Sequence, residues 1–438
     1  MTAPHGPRLL VAVTVPTTAA ALLTGQLRWC REQGFDVHLV SSPGPTLDDV
    51  GRRENVPVHP VPMPRDIDLR ADARALLQLV ALMVRLRPDV VSAGTPKAGL
   101  LVGLAAALTG VPRRVYLLRG LRLEGARGCR RALLWLLERT ACRAAHLVIC
   151  VSPSLRNEAV AQRVVPRGRT RVIGHGSSNG VDPARFAPSP DRDAAATRLR
   201  HNLGIAPDQL VVGFVGRLHP DKGLAELLAA HALLQQQMPT GPALLVVGDL
   251  DGTHREEKRA AGTGSGGTGL DQQPQVHVLG HIEDPAHCYR AIDVLALPTR
   301  REGFPNVVLE AACAEVPAVT TDATGAVDAV LTGVTGTVVP TRDAPALAAA
   351  LRTLLEDPEQ RLAMGRAART RAERHFRPLD IWTGLAWAYR EPPRRRPLAG
   401  RVLRPAAALA VRLIPVFRTV SRSSRDVRTR PNDTQPGS

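Results

Sequence analysis

Apolar, β-compatible runs alternate with helix-period stretches along this chain, and the alternation starts again after a Gly- and Pro-rich interval near the middle. No other feature restricts the fold as much. Strands separated by helices return parallel to one another, and the helices cover both faces of the sheet. In the first half the pattern predicts strands over residues 9–13, 37–40, 89–91, 114–117 and 147–151, with helices over 22–33, 71–86, 99–109 and 130–144. In the second half it predicts strands over 210–215, 243–247, 276–279, 294–297, 318–320 and 336–339, with helices including 222–237, 307–314 and 344–355. The interval 166–207, rich in Gly, Pro, Ser and Asp, reads as the connection. The expected class is α/β, with two doubly wound parallel sheets.

A chain of 438 residues with 44% hydrophobic content can bury more than one core, and two domains suit the doubled pattern. The six cysteines are scattered, with no C-x-x-C and no His-Cys cluster at metal spacing, so neither a disulfide framework nor a zinc site is indicated. A reducing cytoplasm is the expected compartment. Residues 1–7 run straight into the first apolar strand without a signal-peptide pattern. The longest apolar run, 98–111, is broken by glycines and falls short of the roughly 20 residues a spanning helix needs.

The formal charge is +17, carried almost wholly by Arg, since the only lysines are Lys97, Lys222 and Lys258. About half of the excess lies in residues 391–438, where eleven Arg face Glu391, Asp426 and Asp433. Within this tail, residues 402–420 mix Leu, Ala, Val, Ile and Phe with Arg404, Arg412 and Arg418. Two readings stand: a disordered, solvated tail, or a basic amphipathic segment lying on an anionic membrane. Nucleic acid is disfavoured, because aromatic content is 3% and no nucleic-acid module is recognisable.

The densest chemistry falls at Arg301-Glu302-Gly303-Phe304-Pro305-Asn306-Val307-Val308-Leu309-Glu310. Glu302 comes just past a predicted strand end, where an open α/β sheet keeps its ligand site. A helix starting at Pro305 or Asn306 presents free backbone N–H groups and a positive dipole end, which suits a phosphate, with Glu310 about one turn further on. On spacing alone, a surface Glu and a helix-capping Glu explain the pair equally well. A second constellation, Gly216-Arg217-Leu218-His219-Pro220-Asp221-Lys222-Gly223, follows the strand at 210–215. Arg217 and Lys222 on a short loop at a strand's carboxyl edge can neutralise a diphosphate and the charge that builds on it as it leaves. The run 260–269 reads as a flexible surface loop, because neither a GK[ST] nor an apolar helix follows it.

These residues together resemble glycosyltransferase family 4. The likeness rests on Gly216-Arg217-x4-Lys222-Gly223 and Glu302-x7-Glu310, with Asn179-Gly180-Val181-Asp182 and Thr321-Asp322-Ala323-Thr324-Gly325, and it covers roughly residues 8–390. Members of capsule and exopolysaccharide assembly are the most similar, a likeness to which Thr95-Pro96-Lys97-Ala98-Gly99 also points.

The resemblance implies the GT-B fold: an acceptor domain at 1–185, a nucleotide-sugar domain at 186–370, a helix at 371–391 returning to the first domain, and the basic tail at 392–438. It implies a retaining enzyme that moves a sugar from a nucleotide diphosphate, with UDP expected, to a saccharide or polyprenyl-diphosphate-linked saccharide. No metal or other cofactor is implied. Arg217 and Lys222 contact the diphosphate, Glu302 approaches the sugar and Glu310 holds the ribose. The backbone at Gly216, Gly303, Phe304, Pro305, Asn306 and Val307 cradles phosphate, and Ile282 flanks the base. A cytoplasmic enzyme, peripheral at the inner face of the plasma membrane, is the expected setting.

The first half departs from the family pattern. Thr14-Val15-Pro16-Thr17-Thr18-Ala19 replaces a Gly-rich turn, and Arg119 falls where a His-Gly is common. Arg119 is therefore a candidate for a donor or acceptor phosphate rather than a base, and Lys97 is a second candidate for an acceptor phosphate. A sugar-nucleotide 2-epimerase and a non-catalytic nucleotide-sugar-binding subunit remain as alternatives.

Overall fold

The computed structural model of the protein describes residues 6–249 and 273–392. Two parallel sheets carry the chain. The first holds β1 (Arg8–Ala12), β2 (Asp36–Ser41), β3 (Val58–Pro60), β4 (Val90–Ala93), β5 (Arg113–Leu118), β6 (Leu147–Cys150) and β7 (Thr170–Arg171), in the order β3-β2-β1-β4-β5-β6-β7. The second holds β8 (Val211–Val215), β9 (Ala243–Val247), β10 (Val276–Gly280), β11 (Val294–Leu297), β12 (Ala318–Thr321) and β13 (Gly336–Val339), in the order β10-β9-β8-β11-β12-β13. Every pairing is parallel. The central strands are buried end to end, as strands covered on both faces must be.

Several expectations need correcting. Five strands were expected in the first sheet and seven form; β3 and β7 have only three and two residues, too few to show a period, and Pro60 is tolerated because β3 lies at the edge. The expected helix at 22–33 is two helices, Pro16–Leu22 and Gln26–Glu32. Lys222 does not open a helix: it closes the 3-10 turn Pro220–Lys222, and the α-helix runs Leu224–Gln237. The interval 166–207 is not merely a connection, since it carries β7 and the helices Pro183–Phe186 and Pro190–Asn202. The run at 260–269 and the tail from 393 onward lie outside the described residues.

The chain returns to the first domain at its end. Helix Pro378–Arg390 buries Ile381, Leu385, Ala388 and Tyr389 in one core with Leu9, Val37 and Val115. Trp382 packs on Trp29 with ring centroids 6.0 Å apart, and the Arg113 Nε donates to the Ala388 carbonyl at 3.0 Å. Where the chain crosses between domains, the Val181 N–H donates to the Phe376 carbonyl at 2.8 Å.

Strand order places the site. Each sheet reverses direction of growth once, between β1 and β4 and again between β8 and β11, and the loops that leave the carboxyl ends of such a pair diverge to open a crevice. The segments after β1, β4 and β5 face those after β8 and β11 across one cleft of about 740 Å³.

Candidate active site

The pairing of β8 with β11 sets Val212 opposite Val294, so the Arg217–Lys222 loop and the Glu302 loop leave the sheet side by side. Several bonds join them. The Asp221 carbonyl accepts from the Arg300 N–H at 2.8 Å and from the Thr299 hydroxyl at 3.2 Å, and the Asp221 carboxylate pairs with Arg301 at 2.9 Å. Burial alone would raise the Asp221 pKa, but the Arg301 and His219 hydrogen bonds outweigh it and hold the carboxyl below its ordinary value. Gly223 lets the loops close: its φ is +73°, and a Cβ there would lie 1.8 Å from the Pro298 carbonyl oxygen. The outcome is an ion pair between the Lys222 ammonium and the Glu302 carboxylate, both only 14% exposed.

Next to this pair, helix Asn306–Cys313 begins at the cleft with Pro305 as its N-cap and no side chain capping it. Its first N–H groups and positive dipole end face the same space as Gly216, Arg217 and Lys222. Gly303, Phe304, Pro305, Asn306 and Val307 all line the cleft. The Ser177 hydroxyl donates to Asn306 Oδ1 at 3.2 Å, which orients that first turn.

The opposite wall comes from the first domain. Arg119 leaves β5 and donates from Nη1 to the Gly94 carbonyl at 2.6 Å, while its buried Nε has no partner. Burial lowers its pKa to about 10, so it stays cationic at neutral pH. Its own backbone meets the Glu302 loop: a Cβ on Gly303 would lie 2.2 Å from the Arg119 carbonyl oxygen. Lys97 lines the cleft from the second residue of helix Pro96–Leu108, with its ammonium paired to Asp72 at 2.7 Å. In place of a Gly-rich turn, the Thr14 and Thr95 hydroxyls meet at 2.6 Å across the β1/β4 crevice.

Two predicted residues stand apart. Glu310, the fifth residue of its helix, does not line the cleft; its Oε2 accepts from the Tyr289 hydroxyl at 2.6 Å. Burial pushes its carboxyl up, against the opposing Tyr289 bond and the nearby Arg185 charge. Ile282 follows β10, packs against the core and is likewise absent from the cleft wall.

Reading the sequence missed Arg65, Arg122, Asp221 and Arg301. Arg65 stands on a loop and Arg122 opens the 3-10 turn Arg122–Gly125, and both reach the cleft. Six cations (Arg65, Lys97, Arg119, Arg122, Arg217 and Lys222) face one carboxylate, Glu302, in the cleft lining. Such a surface favours a multiply charged anion such as a diphosphate.

Residues 21–185 match the family model described as Glycosyltransferase Family 4, and residues 196–371 match that described as Glycosyl transferases group 1. The capsular polysaccharide biosynthesis glycosyltransferase CapM of Staphylococcus aureus is 35% identical over 84% of this chain and 93% of its own length. The UDP-Gal:alpha-D-GlcNAc-diphosphoundecaprenol alpha-1,3-galactosyltransferase of Escherichia coli is 27% identical over 66% of this chain and 72% of its own. Among solved structures, Anabaena HepE in complex with UDP superposes with a TM-score of 0.69 at 23% identity, over 87% of this chain and 98% of HepE. WaaG, a glycosyltransferase involved in lipopolysaccharide biosynthesis, gives 0.63 at 17% identity, over 87% and 99%. With a relative this similar along nearly its whole length, and one family model for each of its two domains, the chain belongs to glycosyltransferase family 4 and is a glycosyltransferase with the GT-B fold.

Proposed function

We propose that the enzyme is a retaining transferase that moves a sugar from a UDP-sugar to a saccharide carried on a polyprenyl diphosphate, in the synthesis of capsule, exopolysaccharide or another envelope glycan. The observation that carries the reading is the convergence of Arg217, Lys222, Glu302 and the start of helix Asn306–Cys313 on one side of a cleft whose other side presents Arg65, Arg119 and Arg122. The UDP bound by HepE and the diphosphoundecaprenol acceptor of the E. coli relative favour this choice of donor and acceptor. The reaction belongs in the cytoplasm, where sugar nucleotides are made. No helix among the described residues is long and apolar enough to cross a membrane.

In this mechanism the donor's diphosphate lies against Arg217, Lys222 and the amides of residues 304–307, with its sugar toward Glu302. As the bond between the anomeric carbon and the diphosphate oxygen breaks, negative charge grows on the leaving group, where fixed cations and the helix dipole are worth most. The acceptor hydroxyl attacks the same face of the ring, and its proton passes to the leaving phosphate. We assign no metal to the reaction, because these groups supply the positive charge that a divalent ion supplies elsewhere. Glu310, tied to Tyr289, remains the proposed ribose ligand, reached by exchanging one hydroxyl partner for another.

A thermal-shift screen over UDP-, GDP- and ADP-sugars, followed by transfer to a polyprenyl-diphosphate saccharide and determination of the product anomer, tests the reading. Stabilisation by a UDP-sugar and a product that keeps the donor's configuration are expected. An inverted product, or an altered free nucleotide sugar without acceptor, would overturn it.

A further inference from the structure

The stretch Thr321-Asp322-Ala323-Thr324-Gly325 ends β12 and leaves the sheet beside the Glu302 loop, yet none of its residues lines the cleft. Its backbone cradles Glu302 instead. The Thr324 carbonyl accepts from the Glu302 N–H at 3.1 Å. Gly325 lies against the following peptide: its φ is +79°, and a Cβ there would stand 2.2 Å from the Gly303 carbonyl oxygen and 2.9 Å from that of Glu302. Only glycine suits both that conformation and that distance. Where Thr324 and Gly325 sit therefore decides where the main chain of Glu302 sits.

Their place is fixed by a serine of the first domain. Ser154 is the second residue of helix Pro153–Ala161. Its Oγ accepts from the Gly325 N–H at 2.7 Å, and its hydroxyl donates to the Asp328 carboxylate. The same carboxylate oxygen accepts from the Ser154 N–H at 2.8 Å. That N–H is one of the first-turn donors a helix leaves unpaired, so an acid of one domain meets the positive end of a helix of the other. Within the second domain, Arg371 of helix Pro358–His375 donates to the Asp328 carbonyl at 2.8 Å and to that of Ala329. Ser154 and Asp328 are both half-buried, and neither reaches the cleft wall.

We propose that Ser154 and Asp328 are positioning residues for the transfer: from the opposite domain, and through Gly325, they set the place of the Glu302 carboxylate. The proposal rests on Glu302 serving the transferred sugar. Lys222 fixes the charged end of that side chain, and the Ser154–Asp328 clasp fixes its main-chain end. A carboxylate held at both ends needs little reorganisation when charge develops beside it. The diphosphate cradle is held separately, by the Ser177 bond to Asn306 and by the cations Arg217 and Lys222. Loss of the clasp therefore costs rate and leaves donor affinity intact.

The test compares Ser154→Ala, Ser154→Thr, Asp328→Ala, Glu302→Gln and the Ser154→Ala/Glu302→Gln double variant of the full chain, by steady-state transfer from a UDP-sugar and by the thermal shift that UDP produces. Ser154→Ala should lower kcat about 10- to 100-fold, the upper figure being the cost of a misplacement near 1 Å. Donor KM and the UDP shift should not change. Asp328→Ala removes the clasp from the other side and should act alike, which keeps the question decidable if the serine variant misfolds. Ser154→Thr keeps the hydroxyl and should recover most of the rate. On the Glu302→Gln background Ser154→Ala should cost little more, because no carboxylate is left to place. A mere fastener of the two domains would cost the same factor on either background. Wild-type kcat in folded Ser154→Ala and Asp328→Ala, an equal loss on both backgrounds, or no recovery with threonine would each overturn the proposal, while an inactive Glu302→Gln keeps that residue's own role. Near-normal turnover by Glu302→Gln would remove both.

Discussion

The Lys222 ammonium and the Glu302 carboxylate, 80 residues apart in the chain, form an ion pair in the wall of the interdomain cleft. Neither long side chain would hold one position alone on a loop. Paired, and braced by Asp221 with Arg301 beneath them, they present a fixed positive charge and a fixed carboxylate to whatever enters.

Replacing Lys222→Ala or Glu302→Gln should therefore lower kcat by about 10²–10³-fold with the fold intact. The double variant should lose little beyond the worse single one, because the two act as a unit. Steady-state kinetics with thermal melts on all three proteins decide it, and near-normal turnover by a folded single variant would remove both residues from the site.

Gly303→Ala should act through the domain interface. The added Cβ would lie 2.2 Å from the Arg119 carbonyl oxygen, so one backbone must yield and the two cleft walls must move apart. A misplacement on the order of 1 Å costs about 100-fold in rate. Gly125→Ala, whose Cβ meets only Arg301 at 4.0 Å, is the control and should be near neutral. Rate assays on the pair check the difference.

Arg119→Ala removes a cation from the first domain's wall of the cleft and leaves the Gly94 carbonyl without its donor. The acceptor KM should rise roughly 10-fold or more, the worth of a hydrogen bond to a charged group. Stabilisation by the donor nucleotide, read by thermal shift, should persist. A donor-only effect would place Arg119 on the other substrate.

Glu138 predicts a pH dependence of stability. Burial raises its pKa from the ordinary 4.5 to about 7, although the Tyr116 hydrogen bond pulls the other way. Its protonated form is the one the fold prefers, so its contribution is complete below about pH 4.5 and declines as the pH rises towards 7. Over that window the loss is on the order of 1–3 kcal/mol. Glu138→Gln mimics the neutral acid, so its melting temperature relative to wild type should climb between pH 5 and 8; a constant difference would contradict the assignment.

Turnover in excess EDTA should match that without it if the cations and helix dipole carry the leaving-group charge unaided. Activity lost to chelator and restored by a divalent ion would reassign that charge to a metal.

The sheets were legible in the sequence because a strand covered on both faces must be apolar throughout, as the runs at 9–13, 210–215 and 294–297 are. The edge strands Val58–Pro60 and Thr170–Arg171 were not, being too short to display a period and held by pairing alone. Loop chemistry was legible as residue types. Which loops meet was not, since adjacency of the Arg217 and Glu302 segments follows from strand order, a long-range property.

By itself, then, the sequence determined the α/β class, the two sheets and the charged loops at their carboxyl ends, because local patterning and turn chemistry are written residue by residue. Only the tertiary structure decided that Lys222 pairs with Glu302, that Glu310 accepts from the Tyr289 hydroxyl, and that Arg119 comes against Gly303 from the other domain. Those contacts depend on how two sheets grow and where two domains touch, and no short stretch of chain carries that information.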